Sequence, residues 1–430
     1  MPIDFSVEPE FQEKLDWVAR LMREDVFPLE VLDLDHAQLL RLIEPLRRRV
    51  KEQELFAPHL DPSLGGQGFG QVKLGLMHEL LGQSRLGPLV FGAQAPDSGN
   101  SEILALHATE EQRERWLHPL LRGELHSAYA MTEPDAGADP TRLSTSAVLD
   151  GEEWVLNGQK WFITNASIAD FFIFMVVTDP DAAPHQRASQ IIVEAGTPGL
   201  DVVREIGTLE DDRPVFGRWD NHAEVVLRDV RVPAGNLLGE RGSGFAVAQQ
   251  RLGPGRIHHA MRWIGQARRA FDMLCERSLY RESHGSTLAE KQTIQNWIAD
   301  SAVEIEAARL LTLKAAWIMD ERGSRAARRE ISMIKFWGAK ILHDVIDRAL
   351  QIHGSLGYSS DMPLESMYRY ARAARIYDGP DEVHRQSVAR LTLREYSPPA
   401  DGIPSEHIPT RRAAARLRFE DALEELAGNA

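Results

Sequence analysis

The feature that most constrains this chain is a change of period along its length. Up to about residue 125, apolar residues recur every three or four positions, as Phe11, Leu15, Val18, Met22 and Val26 do in "EFQEKLDWVARLMREDV". The segment "TEEQRERWLHPLLRGEL" opens on a capping residue, Thr109, with acids in its first turn. From about 126 to 238 the runs become branched and aromatic: "FFIFMVVTD", "SQIIVEA" and "AEVVLRDVRVP" read as strands. "EEWVLNGQKWFITNA" reads as two strands joined at an Asn-Gly turn. Helical spacing returns from about 239 to 396, with long stripes in "AVEIEAARLLTLKAAWIMDE" and "EISMIKFWGAKILHDVIDRALQIHG". A proline-marked linker and a mixed-charge tail helix from about 410 follow. Helices, then strands, then helices argue for a mainly α chain with a central β domain. They argue against a doubly wound dinucleotide sheet, in which the two would alternate. The expected domains are 1–125, 126–238 and 239–396, with 397–430 as linker and tail.

Composition narrows function. The chain has 430 residues and a formal net charge of -15, from 49 basic and 64 acidic residues. That balance disfavours nucleic acid, whose binding rests on cations meeting phosphates. The single cysteine, Cys275, sits in a helical pattern and is expected to be a buried thiol; alone it forms no intrachain disulfide, and a reducing compartment fits. The N-terminal stretch lacks a basic start followed by an apolar run, and no run is long enough for a membrane span. The C-terminal "ELAGNA" is no peroxisomal or retention address. The expected location is the cytoplasm.

Several segments could carry chemistry. The glycine-dense "DPSLGGQGFG" does not match G-x-G-x-x-G and reads as a connecting loop. "YAMTEPDAGADP", residues 129–140, is small and polar where helices give way to strands, and could aim N–H groups at an anion. In "QKWFITNA", one ring of Trp161 and Phe162 could face the core while the other flanks a flat ligand; a packed strand explains the same residues. "RLGPGRIHHAMR" places Gly253, Pro254 and Gly255 as a break between Arg251 and Arg256. The adjacent His258 and His259 point apart on a helix, which is poor metal-ligand spacing, so no metal is expected. In "RIYDGPDEVHRQ", Asp381 and Glu382 fit a helix's first turn, and Asp378 could be its cap or a base.

These segments, in this order, resemble the acyl-CoA dehydrogenase superfamily over roughly residues 5–396. Further matches are "DVRVPAGNLLGERGSGF", "YRESHGSTLAEKQ" and "QIHGSLGYSSDMPLESMYRYARAARIYDG". "APDSGNSEILAL", "QRLGPGRIHH" and "DGPDEVHR" are similar to the branch whose animal members carry an extra phosphotransferase-like kinase domain. The resemblance implies an N-terminal helical domain, a middle β-barrel or sandwich and a C-terminal four-helix bundle. It also implies FAD, commonly a homotetramer (a dimer of dimers) with the flavin near a subunit boundary, and electron transfer to an electron-transfer flavoprotein. The implied reaction is α,β-dehydrogenation of an acyl-CoA, with a carboxylate taking the α-proton while the β-hydride passes to flavin N5.

Carried over, Tyr129, Met131, Thr132, Gly137 and Ala138 would run beside the flavin. Phe162, Ile163 and Thr164 would follow, with Phe162 in place of the family's usual tryptophan and Thr164 near N5. Arg281 and Ser283, with Gln351, Gly354 and Ser355, match segments that reach a neighbouring subunit's FAD; Pro380 and Glu382 match the run after the base. Ala138, Gly253, Arg256 and Gly379 match contacts to the acyl-CoA. Asp378 falls where most of the family has its catalytic glutamate; the other family position for a base is Gly255 here, which cannot serve. Aspartate is shorter by one methylene, about 1.5 Å. An apolar pocket would raise its pKa and the helix start would oppose that. Pro380 and Ala138 also depart from a threonine and a serine common in the family. The alternatives are a flavoprotein oxidase of the same fold, nitroalkane oxidase-like or acyl-CoA oxidase-like, a DNA-associated flavoprotein, and a scaffold without redox chemistry.

Overall fold

The computed structural model describes residues 3–64, 66–211 and 217–428. By contact the chain divides into two compact units, 1–385 and 386–430.

The first unit begins with helices α1 (Pro9–Leu21), α2 (His36–Glu52), α3 (Gln71–Leu81) and α4 (Asp97–His107). The stripe Phe11, Leu15, Val18, Met22 and Val26 is buried throughout, as its spacing requires. Thr109 caps its helix through a reciprocal pair with Gln112.

Strands follow: β1 (Ser127–Ala130), β2 (Ser146–Asp150), β3 (Glu153–Thr164), β4 (Phe171–Val177), β5 (Ala188–Glu194), β6 (Leu200–Glu205), β7 (His222–Pro233) and β8 (Leu237–Leu238). They form one sheet in the order β6-β7-β3-β2-β4-β5-β8, with β1 parallel to β4. The unbroken apolar run of β4 is explained by cover on both faces. Phe172 and Phe174 enter the sheet's own core, while Phe171 and Ile173 pack with Ile103, Trp116 and Leu117 of the helical layer. Burying each such side chain contributes about 1.5–3 kcal/mol.

The Asn-Gly turn expected inside "EEWVLNGQKWFITNA" does not form: β3 runs straight through it as one strand of 12 residues. Asn157 and Gly158 instead mark a β-bulge against β7. Gly158 sits at φ +147°, and a Cβ there would lie 2.6 Å from the Thr145 hydroxyl. The Asn157 side chain exchanges hydrogen bonds with Asp229, accepting from its backbone N–H at 2.8 Å. With partners on both edges, the glycine serves close approach rather than chain reversal.

The helices of the second half are α5 (Gly244–Tyr280), α6 (Gln292–Arg322), α7 (Arg328–His353), α8 (Leu364–Ala373) and α9 (Asp381–Leu393). Their core includes Trp263, Ile264, Ala315, Ile334, Leu342 and Leu364. The expected break at Gly253-Pro254-Gly255 is absent, because α5 continues through Pro254 for 37 residues. Its packing against the neighbouring helices outweighs the one intrahelical bond a proline removes. Cys275 is partly rather than fully buried, against the bundle core.

The tail expected as one helix forms two, α10 (Ile408–Arg418) and α11 (Glu420–Gly428). Phe419 leaves helical geometry between them, at φ −114° and ψ 23°.

Candidate active site

Two segments meet where β1 ends. The Trp161 backbone N–H donates to the Thr132 carbonyl at 3.1 Å, joining the loop after β1 to the end of β3. Beneath this junction lies a buried ion pair. The Lys160 ammonium donates to Glu133 at 2.8 Å and to the Met131 and Met175 carbonyls at 2.9 and 2.6 Å. Glu133 also accepts from the Ser144 and Thr145 backbone N–H groups at 2.7 and 3.0 Å. Burial disfavours its charge, but Lys160 and these donors outweigh that and hold it down to about 2. Burial brings Lys160 down to about 8, against the pull of Glu133. Both are ionised at neutral pH.

Above the pair, several side chains and a loop lie at the surface. Phe162 is 46% exposed at φ +53°, a large ring turned outward by strained backbone. Neither it nor the half-buried Trp161 joins the core, contrary to the expected split; Ile163 fills that place, so only its backbone can face a ligand. Thr132 and Thr164 are half-buried, and Gly137 and Ala138 are exposed. Among the described residues the Thr132 hydroxyl has no partner, and a Cβ on Gly137 would meet nothing within 4 Å. An exposed aromatic face, two hydroxyls and an open loop fit a flat ring with polar edges. Tyr129 is different: its hydroxyl accepts from Gln190 at 3.0 Å, and its ring is covered by the Arg251 guanidinium at 4.2 Å.

Asp378 lies on the short loop between α8 and α9, at φ +54°. Among the described residues its carboxylate accepts no hydrogen bond from the helix start, so it does not act as the cap of α9. Four side chains hold the loop. Arg256 donates twice to the Asp378 carbonyl, at 3.1 and 2.9 Å, and His384 lies 3.1 Å from the same oxygen. Lys335 donates to the Ala374 and Gly379 carbonyls at 2.7 and 3.2 Å, and Arg375 pairs with Asp381 at 2.8 Å. Gly379 is at φ +100°, where a Cβ would strike the His384 ring at 2.8 Å. The backbone N–H groups of Asp378 and Gly379 have no partner among the described residues.

The electrostatics differ from the apolar pocket expected. Burial does push the Asp378 carboxyl up, but His259, Arg256, Arg251 and Lys335 together bring it below its ordinary value of 3.8. His259, 3.7 Å from the carboxylate, is itself pushed down to about 4 by burial and is neutral at pH 7. The arginines and Lys335 therefore supply the field. His384 is likewise lowered to about 4 by burial.

Beyond His259 a cavity of about 80 Å³ is lined by polar Arg85, Arg262 and Tyr370 and by apolar Pro88, Trp219 and Trp263, among others. Arg262 makes no ion pair among the described residues; it donates to the Ala93 carbonyl at 2.7 Å and to His78 Nδ1 at 3.1 Å. Arg85 pairs with Asp220 and Glu210 and lies over the Tyr370 ring.

The remaining candidates lie elsewhere. Arg281 is exposed just past α5, and Ser283 belongs to a two-stranded hairpin, Glu282–Ser283 with Ser286–Thr287. Gln351, Gly354 and Ser355 are exposed at the end of α7. Gly253 is buried in α5, facing Met319 and Ser324, and Glu382 is exposed in the first turn of α9, after Pro380. Sequence reading passed over Glu133, Lys160, His222, Arg262, Lys335 and His384. A lysine inside an otherwise apolar pattern was the one available signal, in "QKWF" and "SMIKFW".

Models of the acyl-CoA dehydrogenase N-terminal, middle and C-terminal domains match residues 8–124, 128–213 and 242–393. The chain belongs to the acyl-CoA dehydrogenase family. It is 44% identical over 358 residues to "Probable acyl-CoA dehydrogenase FadE2" of Mycobacterium tuberculosis, covering 82% of this chain and 86% of that one. It is 39% identical over 402 residues to acyl-CoA dehydrogenase family member 11 of Rattus norvegicus, covering 89% of this chain. It spans about half the length of that rat relative (50%). Butyryl-CoA dehydrogenase from Megasphaera elsdenii has the same fold, with a TM-score of 0.78 and 30% identity, over 91% of this chain and 100% of that one. Acyl-CoA dehydrogenases use FAD, and solved neighbours include PigA with FAD and proline. The chain is an FAD-dependent oxidoreductase of this family.

Proposed function

We propose that this protein dehydrogenates an acyl-CoA thioester between its α and β carbons, with Asp378 as the base that takes the α-proton. The observation that carries this is an ionised, partly buried carboxylate on a clamped left-handed turn, beside two unengaged backbone N–H groups. An α-proton next to a thioester is too weakly acidic for a free carboxylate, so charge forming on the thioester oxygen must be stabilised. The N–H groups of Asp378 and Gly379 are available for that, each such donor being worth roughly 3–4 kcal/mol. Lys335 and Arg256 oppose the same negative charge from behind the loop. FAD, when bound, supplies the hydride acceptor; Tyr129–Ala138 and Phe162–Thr164 would hold it. Arg256 donates twice to the carbonyl of the base, so it fixes the turn that carries Asp378, and its remaining N–H groups are available to the thioester substrate.

The small cavity beyond His259, where arginines and a tyrosine face two tryptophans, supports a short acyl group, plain or carrying a polar substituent, over a long straight one. Family resemblance supports a homotetramer, in which Arg281, Ser283, Gln351, Gly354 and Ser355 reach a neighbour's FAD, and an electron-transfer flavoprotein as acceptor. The single cysteine supports a cytoplasmic location. Among the described residues no helix is long and apolar enough to cross a membrane. The test is an anaerobic screen of flavin reduction with short, medium, long, branched and hydroxylated acyl-CoAs. Bleaching by short or polar members is expected. No bleaching by any acyl-CoA, with oxygen consumed on nitroalkanes, would replace this function by an oxidase.

A further inference from the structure

Thr164 and His222 are cross-strand partners at the end of the β3–β7 ladder. The Thr164 hydroxyl lies 3.0 Å from His222 Nδ1, and the Phe162 ring is 6.4 Å from the imidazole at 56°. Phe162 and Thr164 share one face of β3 while Ile163 enters the core, so the imidazole borders the face read above as the flavin cradle. The His222 carbonyl accepts from the Ile206 N–H at 2.7 Å, which fixes the ring's backbone from the β6 side. Among the described residues His222 Nε2 has no partner.

We propose that His222 is a positioning residue for the Thr164 hydroxyl, letting it offer either a proton or a lone pair to flavin N5. The proposal rests on the reading that Thr164 lies beside that atom. A neutral imidazole has one N–H and one bare nitrogen. With the proton on Nδ1, His222 donates to the threonine oxygen and the hydroxyl proton is free for an acceptor nitrogen. With Nδ1 bare, the hydroxyl turns towards His222 and its lone pairs are free to accept from an N–H. Hydride transfer to N5 converts an acceptor nitrogen into an N–H, so the hydroxyl must serve in both senses. Burial keeps the imidazole below its ordinary range, with Asp220 opposing and Arg85 assisting, so it is neutral at pH 7.

The experiment measures the ratio of reduced to oxidised bound flavin at a fixed reference-dye potential, together with the oxidised flavin's visible spectrum. The proteins are wild type, Thr164→Val, His222→Asn, His222→Gln and the Thr164→Val/His222→Gln double variant. Asn places an amide where Nδ1 stands; Gln places it nearer Nε2. Thr164→Val and His222→Gln are each expected to change the oxidised-flavin spectrum in the same way and, because the two bonds differ in strength, to shift the ratio up to about tenfold in the same direction. His222→Asn stays near wild type, and the double variant shifts no further than Thr164→Val. Equal ratios together with an unchanged oxidised-flavin spectrum in wild type and His222→Gln, both retaining FAD, would overturn the proposal. So would a His222→Gln shift that persists undiminished in the Thr164→Val background. If Thr164→Val itself changes neither ratio nor spectrum, the placement of Thr164 beside the flavin fails, and the proposal with it.

Discussion

Two buried lysines, Lys160 under the β1–β3 junction and Lys335 under the α8–α9 loop, are both 0% exposed, and burial lowers both to about 8. Their surroundings differ. Lys160 faces Glu133 at 2.8 Å and the charge is cancelled where it sits. Lys335 meets two carbonyls and the rings of Trp263 and Tyr377, and forms no ion pair among the described residues. The first is a fastening that leaves little field at the surface above it. The second adds, behind Arg256 and Arg251, to the positive field on Asp378, which favours negative charge there. The cost of burying a cation is similar in both places; what it is set against decides whether it fastens or polarises.

The largest expected effect is on the base. Asp378→Asn should keep FAD and slow anaerobic flavin reduction by about 10³-fold or more; near-normal reduction would remove Asp378 from the mechanism. Next comes the comparison itself. Lys160→Met strands the Glu133 carboxylate in the interior and should cost about 3–5 kcal/mol in urea unfolding. Lys335→Met strands only carbonyls and should cost about 1–3 kcal/mol. Equal losses would mean that the partner does not set the cost.

The pH dependence separates the two further. Asp378 titrates below 3.8, so its ionised form is present at neutral pH and is lost only as pH falls through that lower value. Flavin reduction should therefore hold between pH 7 and about 5. Lys335→Met removes a cation and should move the acid limb upward, whereas Lys160→Met should leave it in place; a limb unmoved in Lys335→Met would deny that lysine its field. Both lysines are lowered from 10.5 to about 8, so across that window the unfolded chain holds protons the folded chain has released. Stability should rise with pH there from these groups, and the rise should be smaller in either methionine variant. Arg281→Ala, the smallest effect, should speed FAD loss on dilution by severalfold; unchanged retention would count against sharing of the cofactor between subunits.

The order of helices and strands was legible because periodicity reports which faces are buried. Asp378 was legible only as one of two roles, and its resemblance to the family's base tipped the choice. The Asn157-Gly158 bulge was read as a turn because the same dipeptide serves either purpose, and what decides is a partner strand on each side. The continuity of α5 through Pro254 was misread because local propensity says nothing of the helices packed against it. The partners of the buried lysines were invisible for the same reason: Lys160 and Glu133 are 27 residues apart, and Lys335 and Gly379 are 44 apart.

By itself the sequence determined where each kind of secondary structure lies, because local spacing fixes which side of an element is apolar. Its resemblance to the family singled out Asp378 as the carboxylate proposed here as the base. Tertiary structure alone decided the sign of that carboxylate's pKa shift, the clamp on its carbonyl and the pairing of Thr164 with His222. Those depend on charges and donors brought together from distant parts of the chain, and electrostatic energy is a function of distance in space, not of separation in sequence.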